Sequence, residues 1–154
     1  MRLTARQNVT QSDVKVRETG LCAGTLVMTL DGDMPVEALC AGDRLVTRDR
    51  GVAVLRGIEM RDVDLRPIVI KGGSLGHTRP EMDMTVTPDT RIHVRDWRAK
   101  VLFGLPSADI EARRLADGEF VARQKRQQMR VFDLQFDADH IIYANGVEVA
   151  LHAA

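Results

Sequence analysis

The reactive side chains of this sequence are few: two cysteines, Cys22 and Cys40, and four histidines, His77, His93, His140 and His152. A thiol becomes a nucleophile or a metal ligand once ionised, and an imidazole can pass a proton near neutral pH. Two cysteines cannot build a disulfide framework, and no Cys-x-x-Cys spacing indicates a structural zinc site. One bridge between them is conceivable in an oxidising compartment, but two reduced thiols are the default. Composition would allow a metal site from His77, His93, His140 and Cys22. No ligand spacing supports it, and neither a metal nor another cofactor is expected. The basic cluster Arg123, Lys125, Arg126 and Arg130 reads as a solvated hairpin facing Asp133, Asp137 and Asp139 rather than a binding patch.

The surroundings of these groups are those of an ordinary folded domain. The chain has 154 residues, 44 % hydrophobic and 29 % charged, enough for one core. Lys plus Arg balance Asp plus Glu at 22 each. That balance argues against general nucleic-acid or anionic-membrane binding. Aromatics at 4 % speak against base-stacking platforms. Residues 1–18 read as a polar leader that can stay disordered, without the apolar stretch of a secretory signal. No apolar run reaches the roughly 20 residues of a membrane helix. The default expectation is a soluble cytoplasmic protein with no membrane or nucleic-acid partner, and an unknown protein partner stays open.

Many short apolar runs punctuated by turn signals predict an all-β fold over residues 19–154. Thr25 to Leu30 is rich in β-formers and stops at Asp31-Gly32. Met34 to Glu37 returns briefly, and Pro35 restricts it to an edge or irregular stretch. Strands are expected at Arg44 to Thr47, Val52 to Arg56, Pro67 to Ile70, Met84 to Thr87 and Arg91 to Val94. Others are expected at Lys100 to Phe103, Met129 to Phe136, His140 to Tyr143 and Val147 to Val149. Ser107 to Ala116 predicts the one short helical turn.

Three segments, in order, resemble the Hint (hedgehog/intein) domain, in particular its bacterial members. The first is Gly20-Leu21-Cys22-Ala23-Gly24-Thr25 with its strand and Asp31-Gly32, then Pro35-Val36-Glu37 and Gly42-Asp43. The second is Thr85-Val86-Thr87-Pro88-Asp89-Thr90-Arg91, similar to the family's S/T-P-x-H-R pattern. The third is Val131-Phe132-Asp133 followed by His140 and Ala144-Asn145-Gly146. The resemblance implies an all-β horseshoe of short strands with two pseudo-symmetric halves and both termini near the centre.

It also implies a chemistry, self-cleavage of the backbone. A Cys or Ser opening the first segment attacks the preceding carbonyl, a His donates a proton to the departing nitrogen, and polar donors stabilise the oxyanion. In the usual spacing the nucleophile stands four residues before Gly24-Thr25, which here is Gly20. Cys22 lies two positions on, about 7 Å along an extended strand. The position of the proton-donating His holds Thr90, whose hydroxyl cannot deliver a proton near neutral pH. Losing such an acid costs about 10²–10⁴ in rate. His93 falls on the opposite strand face, and His77 sits in a glycine-rich loop. Asp133 and His140 match the family's late Asp and His, able to polarise a carbonyl or orient a water. The splice-terminal His-Asn is replaced by Ala150-Leu151, with His152 offset.

The candidate site is therefore Cys22, Thr87, Thr90, Asp133 and His140, in a vestigial or low-activity form. The leading expectation is a degenerate autoprocessing domain acting as a structural or interaction module, not an efficient enzyme. One alternative is residual autoproteolysis by an N–S acyl shift at Leu21–Cys22. Another is a peptide- or ligand-binding module in a vacated cleft lined by Cys22, Thr87, Thr90 and His140.

Overall fold

A computed structural model describes residues 17–153. The described residues fold into fourteen strands, so the expected all-β class is observed. The first sheet joins β1 (Leu21–Cys22), β12 (Gln127–Gln135) and β6 (Gly57–Leu65) in the order β1-β12-β6. A large sheet runs β10 (Ala108–Glu111), β9 (Arg91–Val94), β14 (Val147–Leu151), β13 (His140–Ala144), β2 (Leu26–Thr29), β4 (Arg44–Thr47) and β5 (Gly51–Val54). There β3 (Gly32–Pro35) pairs only with β2, the edge place that Pro35 requires. A small third sheet has the order β11 (Val121–Arg123), β7 (Ile68–Ile70), β8 (Met84–Val86).

Turn chemistry sets the register. Asn145 and Gly146 both take positive φ, 51° and 79°, and close the β13–β14 hairpin with Ala144 opposite Val147. Positive φ at both central residues suits the right-handed strand twist. The same Asn145 clasps β2: its N–H donates to the Leu26 carbonyl and its Oδ1 accepts from the Leu26 N–H at 2.7 Å. The Glu37 carboxylate accepts the Gly24 N–H at 2.8 Å, a bond that holds its pKa down. So motif residues far apart in sequence bond directly to one another.

The core gathers Val27, Leu45, Ile70, Ile92, Ile142 and Val149, all essentially without solvent contact. In β14 the first four of five residues are buried, as suits a strand flanked on both sides.

Several expected elements differ. Lys100 to Phe103 is not a strand but the end of helix α1 (Trp97–Phe103), whose N-cap Asp96 accepts the Arg98 N–H and whose C-cap Gly104 is left-handed. The helical turn expected over Ser107 to Ala116 shrinks to α2 (Ala112–Leu115), because its first half pairs with β9 as β10. The nine-residue β6 was unforeseen, since its alternating acids and Arg61 hide a strand solvated on both faces. The basic cluster does not form the expected hairpin: Arg130 lies in β12 and Arg126 bonds the Asp64 carbonyl of β6, but Arg123 belongs to β11 in the third sheet, and the acidic partners are others. Arg130 pairs with Asp62 at 3.1 Å, whereas Asp133, Asp137 and Asp139 pair with Arg61, Arg56 and His152. Of the leader, residues 1–16 lie outside the described part. Glu18 is fixed to Asp89 by reciprocal bonds of its N–H and C=O.

Candidate functional site

Gly20 opens the first motif and turns the chain from the leader into β1. Its φ of +111° is a conformation that only glycine adopts without strain. There is no room for more than a hydrogen: an added Cβ would lie 3.0 Å from Val131 Cβ and 3.2 Å from an Asp133 oxygen. The Gly20 carbonyl accepts from the Thr87 hydroxyl at 3.0 Å. Thr87 in turn shares a 2.6 Å hydroxyl pair with Thr90. Both threonines are buried, so this small chain of hydroxyls is a fixed, satisfied network.

The peptide on the other side of Gly20 is held by charge. Arg61, from β6, donates to the Thr19 carbonyl at 3.0 Å. Its guanidinium also grips Asp133 on the neighbouring β12, through Nε at 2.6 Å and a second nitrogen at 3.3 Å. Hydrogen bonding to Asp133 raises the Arg61 pKa further, so the group stays charged. A cation on a backbone carbonyl is the type of donor that would stabilise an oxyanion there.

These groups border a cleft of about 400 Å³. Thr19, Gly20, Leu21, Thr90 and Asp133 line it, with Val149, Ala150, Leu151 and His152 from the end of the chain. The two ends of the domain thus meet across one hollow. The His152 ring contacts Arg91 and Asp139.

The remaining sequence candidates lie elsewhere. Cys22 is buried against β12, opposite Val131, and does not line the cleft. Burial pushes its thiol pKa up to about 12, so the thiolate is disfavoured at pH 7. Cys40 is exposed, and both thiols are free. His140 bonds through Nδ1 to Asp49 at 2.9 Å and packs edge-on against Phe136 with ring centroids 5.3 Å apart. It too is absent from the cleft wall. His93 is satisfied by Asp109 at 2.8 Å and shares a second hollow of about 140 Å³ with His77. Among the described residues no group of three or more His, Cys, Asp or Glu is placed to hold a metal ion.

Sequence reasoning brought Thr87, Thr90 and Asp133 to one place and missed two partners. Arg61 lies 72 positions from Asp133, and only the β6–β12 pairing joins them. Asp89 is buried and fixes the entering chain through the Glu18 N–H and Arg113. Its position inside the Thr87-to-Arg91 motif was the one available signal.

Comparison with known proteins agrees with this arrangement. The bacterial intein-like domain from Clostridium thermocellum superposes with a TM-score of 0.57 at 15 % identity, covering 88 % of this chain and 99 % of that one. The AceL NrdHF class 3 split intein gives 0.56 at 14 %, covering 89 % and 99 %. A DnaB intein from Synechocystis sp. PCC 6803 gives 0.56 at 12 %, covering 88 % and 99 %. At such identities the likeness is one of fold. No curated protein matches the sequence. The Hint domain family, however, matches residues 19–150, a span that holds every motif and the whole cleft lining from Thr19 to Ala150. The chain therefore belongs to the Hint domain family.

Proposed function

We propose that this Hint domain retains the family's cleft without efficient self-processing and serves as a structural or interaction module. The observation that carries the reading is Gly20. At the nucleophile position there is no side chain, the backbone is at +111°, and Val131 and Asp133 fill the direction a side chain would take. Thr90 stands where the acid would be and spends its hydroxyl on Thr87. Two of the three requirements of the acyl shift are missing together, and the Arg61 donor has no attacking group to serve. The rival acyl shift at Leu21–Cys22 would need a thiol whose ionisation is suppressed by burial.

The test is intact mass of the chain carrying an N-terminal extension, with and without a strong thiol. A single unchanged mass is expected under all conditions. Thiol-dependent release of a fragment ending at Leu21, abolished by Cys22→Ala, would overturn the reading.

The cleft favours a more specific form of the module. Its wall combines apolar Leu21, Leu134 and Val149 with polar Thr90, Gln135 and Asp133, a mixture suited to a short extended peptide. Peptides that raise the melting temperature of the native chain but not of Asp133→Asn would support this form. A broad peptide library without any such hit would count against it.

A further inference from the structure

Helix α1 is built inside out. Its one buried residue is the small Ala99, while Trp97, Val101 and, just beyond the helix, Leu105 are 64 %, 73 % and 51 % exposed. Trp97 and Val101 are i and i+4 and so share one outward helix face, and Leu105, past the left-handed Gly104, adds exposed apolar surface beside its end. Leu102 and Phe103, each 40 % exposed, widen it. In a chain with six aromatic residues, placing the only tryptophan and a phenylalanine on one outward helix is a strong asymmetry. Such a contiguous patch marks an interaction surface.

The flanking charge narrows the occupant. Lys100 and Arg114 have no carboxylate within 4.0 Å among the described residues, and Arg114 lies over the Phe103 ring at 4.8 Å. Arg98 stacks on Trp97 at 4.7 Å while its guanidinium bonds Asp96 and the Ser74 carbonyl. The helix itself contains no acid. None of the apolar side chains lines the cleft or the two smaller hollows. Nor does charge favour the chain's own leader as a cover, because residues 1–16 carry Arg2, Arg6 and Lys15 against Asp13 alone.

From this combination we propose that the α1 face docks on an anionic lipid surface, lying in the interface without crossing it. Outward Trp and Phe rings with interleaved Lys and Arg are the chemistry of an interfacial helix: rings at headgroup depth, cations on lipid phosphates and carboxylates. No helix is long and apolar enough to span a bilayer. Zero net charge does not oppose the contact, because a membrane meets one face of the molecule and feels the charge within about a Debye length.

Trp97 makes the test direct, since all indole fluorescence comes from this one site. The intact chain is titrated with vesicles of phosphatidylcholine alone and with about one third phosphatidylserine. With the anionic vesicles, blue-shifted Trp97 emission and co-sedimentation are expected. Val101→Ser with Leu105→Ser should weaken binding about tenfold or more, and Lys100→Glu with Arg114→Glu should remove the preference for anionic lipid. All four positions are surface ones, and unchanged circular dichroism checks that the variants fold. No shift at any lipid concentration overturns the proposal. So does a shift that appears on raising protein concentration without lipid, which would make the face a contact between copies. Emission already that of a buried indole in buffer also overturns it, since the chain would then cover the face itself.

Discussion

At the scale of single residues, the site is defined by what Gly20 excludes. Restoring a thiol by Gly20→Cys would place a Cβ at 3.0 Å from Val131 Cβ on a backbone at +111°. We expect that substitution to lower stability by about 1–3 kcal/mol, read as a shift in the denaturation midpoint, and not to produce cleavage by intact mass. Efficient cleavage by Gly20→Cys would mean that the missing nucleophile was the whole deficit and that Thr90 costs nothing. The two natural thiols should differ sharply. Cys40 is exposed, whereas Cys22 is 3 % exposed with a pKa pushed up to about 12 by burial. A thiol reagent should therefore modify one cysteine of the native chain quickly and the second only on unfolding, with Cys40→Ser removing the fast reaction. Fast modification of Cys22 would bring the Leu21–Cys22 acyl shift back into contention.

At the scale of elements, His140 acts as a clip. It ties β13 to Asp49, which follows β4, and Asp49 also accepts the Ile141 N–H at 2.8 Å. Burial alone would raise the Asp49 pKa, but the Ile141 and His140 hydrogen bonds hold it below the usual carboxylate value. A folded-state pKa below the unfolded one contributes stability above about pH 4, lost as pH falls through the folded value. Melting temperature followed from about pH 6 down to pH 3 should therefore fall less steeply in Asp49→Asn than in the native chain. An identical slope would show that the clip carries no acid-linked stability. The same elements show what could be read in advance. Strands with one buried face and a turn residue at each end, such as β4 and β13, were legible because their alternation is written locally. Helix α1 was not, because Val101 and Phe103 are β-formers, its large apolar side chains face outward, and only the Asp96 and Gly104 caps betray a helix. Strand β6 and its Arg61 were hidden for the opposite reason: their stabilising partners, Asp133 and Arg130, arrive only through pairing with β12. The site was legible as far as motif spacing reached, at Gly20, Thr87, Thr90 and Asp133. Motif spacing does not show which sheet a strand joins, and so not that Cys22 and His140 stand away from the cleft wall.

At the scale of the whole molecule, equal totals of 22 cationic and 22 anionic residues conceal a very uneven local arrangement. Glu148, 5 % exposed in β14, receives three arginines from three segments. Arg48 follows β4 and approaches Oε1 to 3.0 Å without aligning a hydrogen bond; Arg79 comes from the loop after β7 and Arg95 from the end of β9, both onto Oε2 at 3.2 and 2.8 Å. One carboxylate thus neutralises part of a cluster that would otherwise repel itself and pry these segments apart. The consequence is an asymmetry between hub and spoke. Removing a single partly exposed arginine leaves a carboxylate with two partners and should cost under about 1 kcal/mol. Removing the carboxylate leaves three guanidinium groups facing a buried amide, which should cost about 2 kcal/mol or more. Urea midpoints at low salt should therefore rank native above Arg48→Gln, and Arg48→Gln well above Glu148→Gln. Added salt should narrow the last gap by screening the unpaired arginines. Equal midpoints for the two variants would mean that the arginines are solvated independently, and that β14 is held by its ladder and core contacts alone.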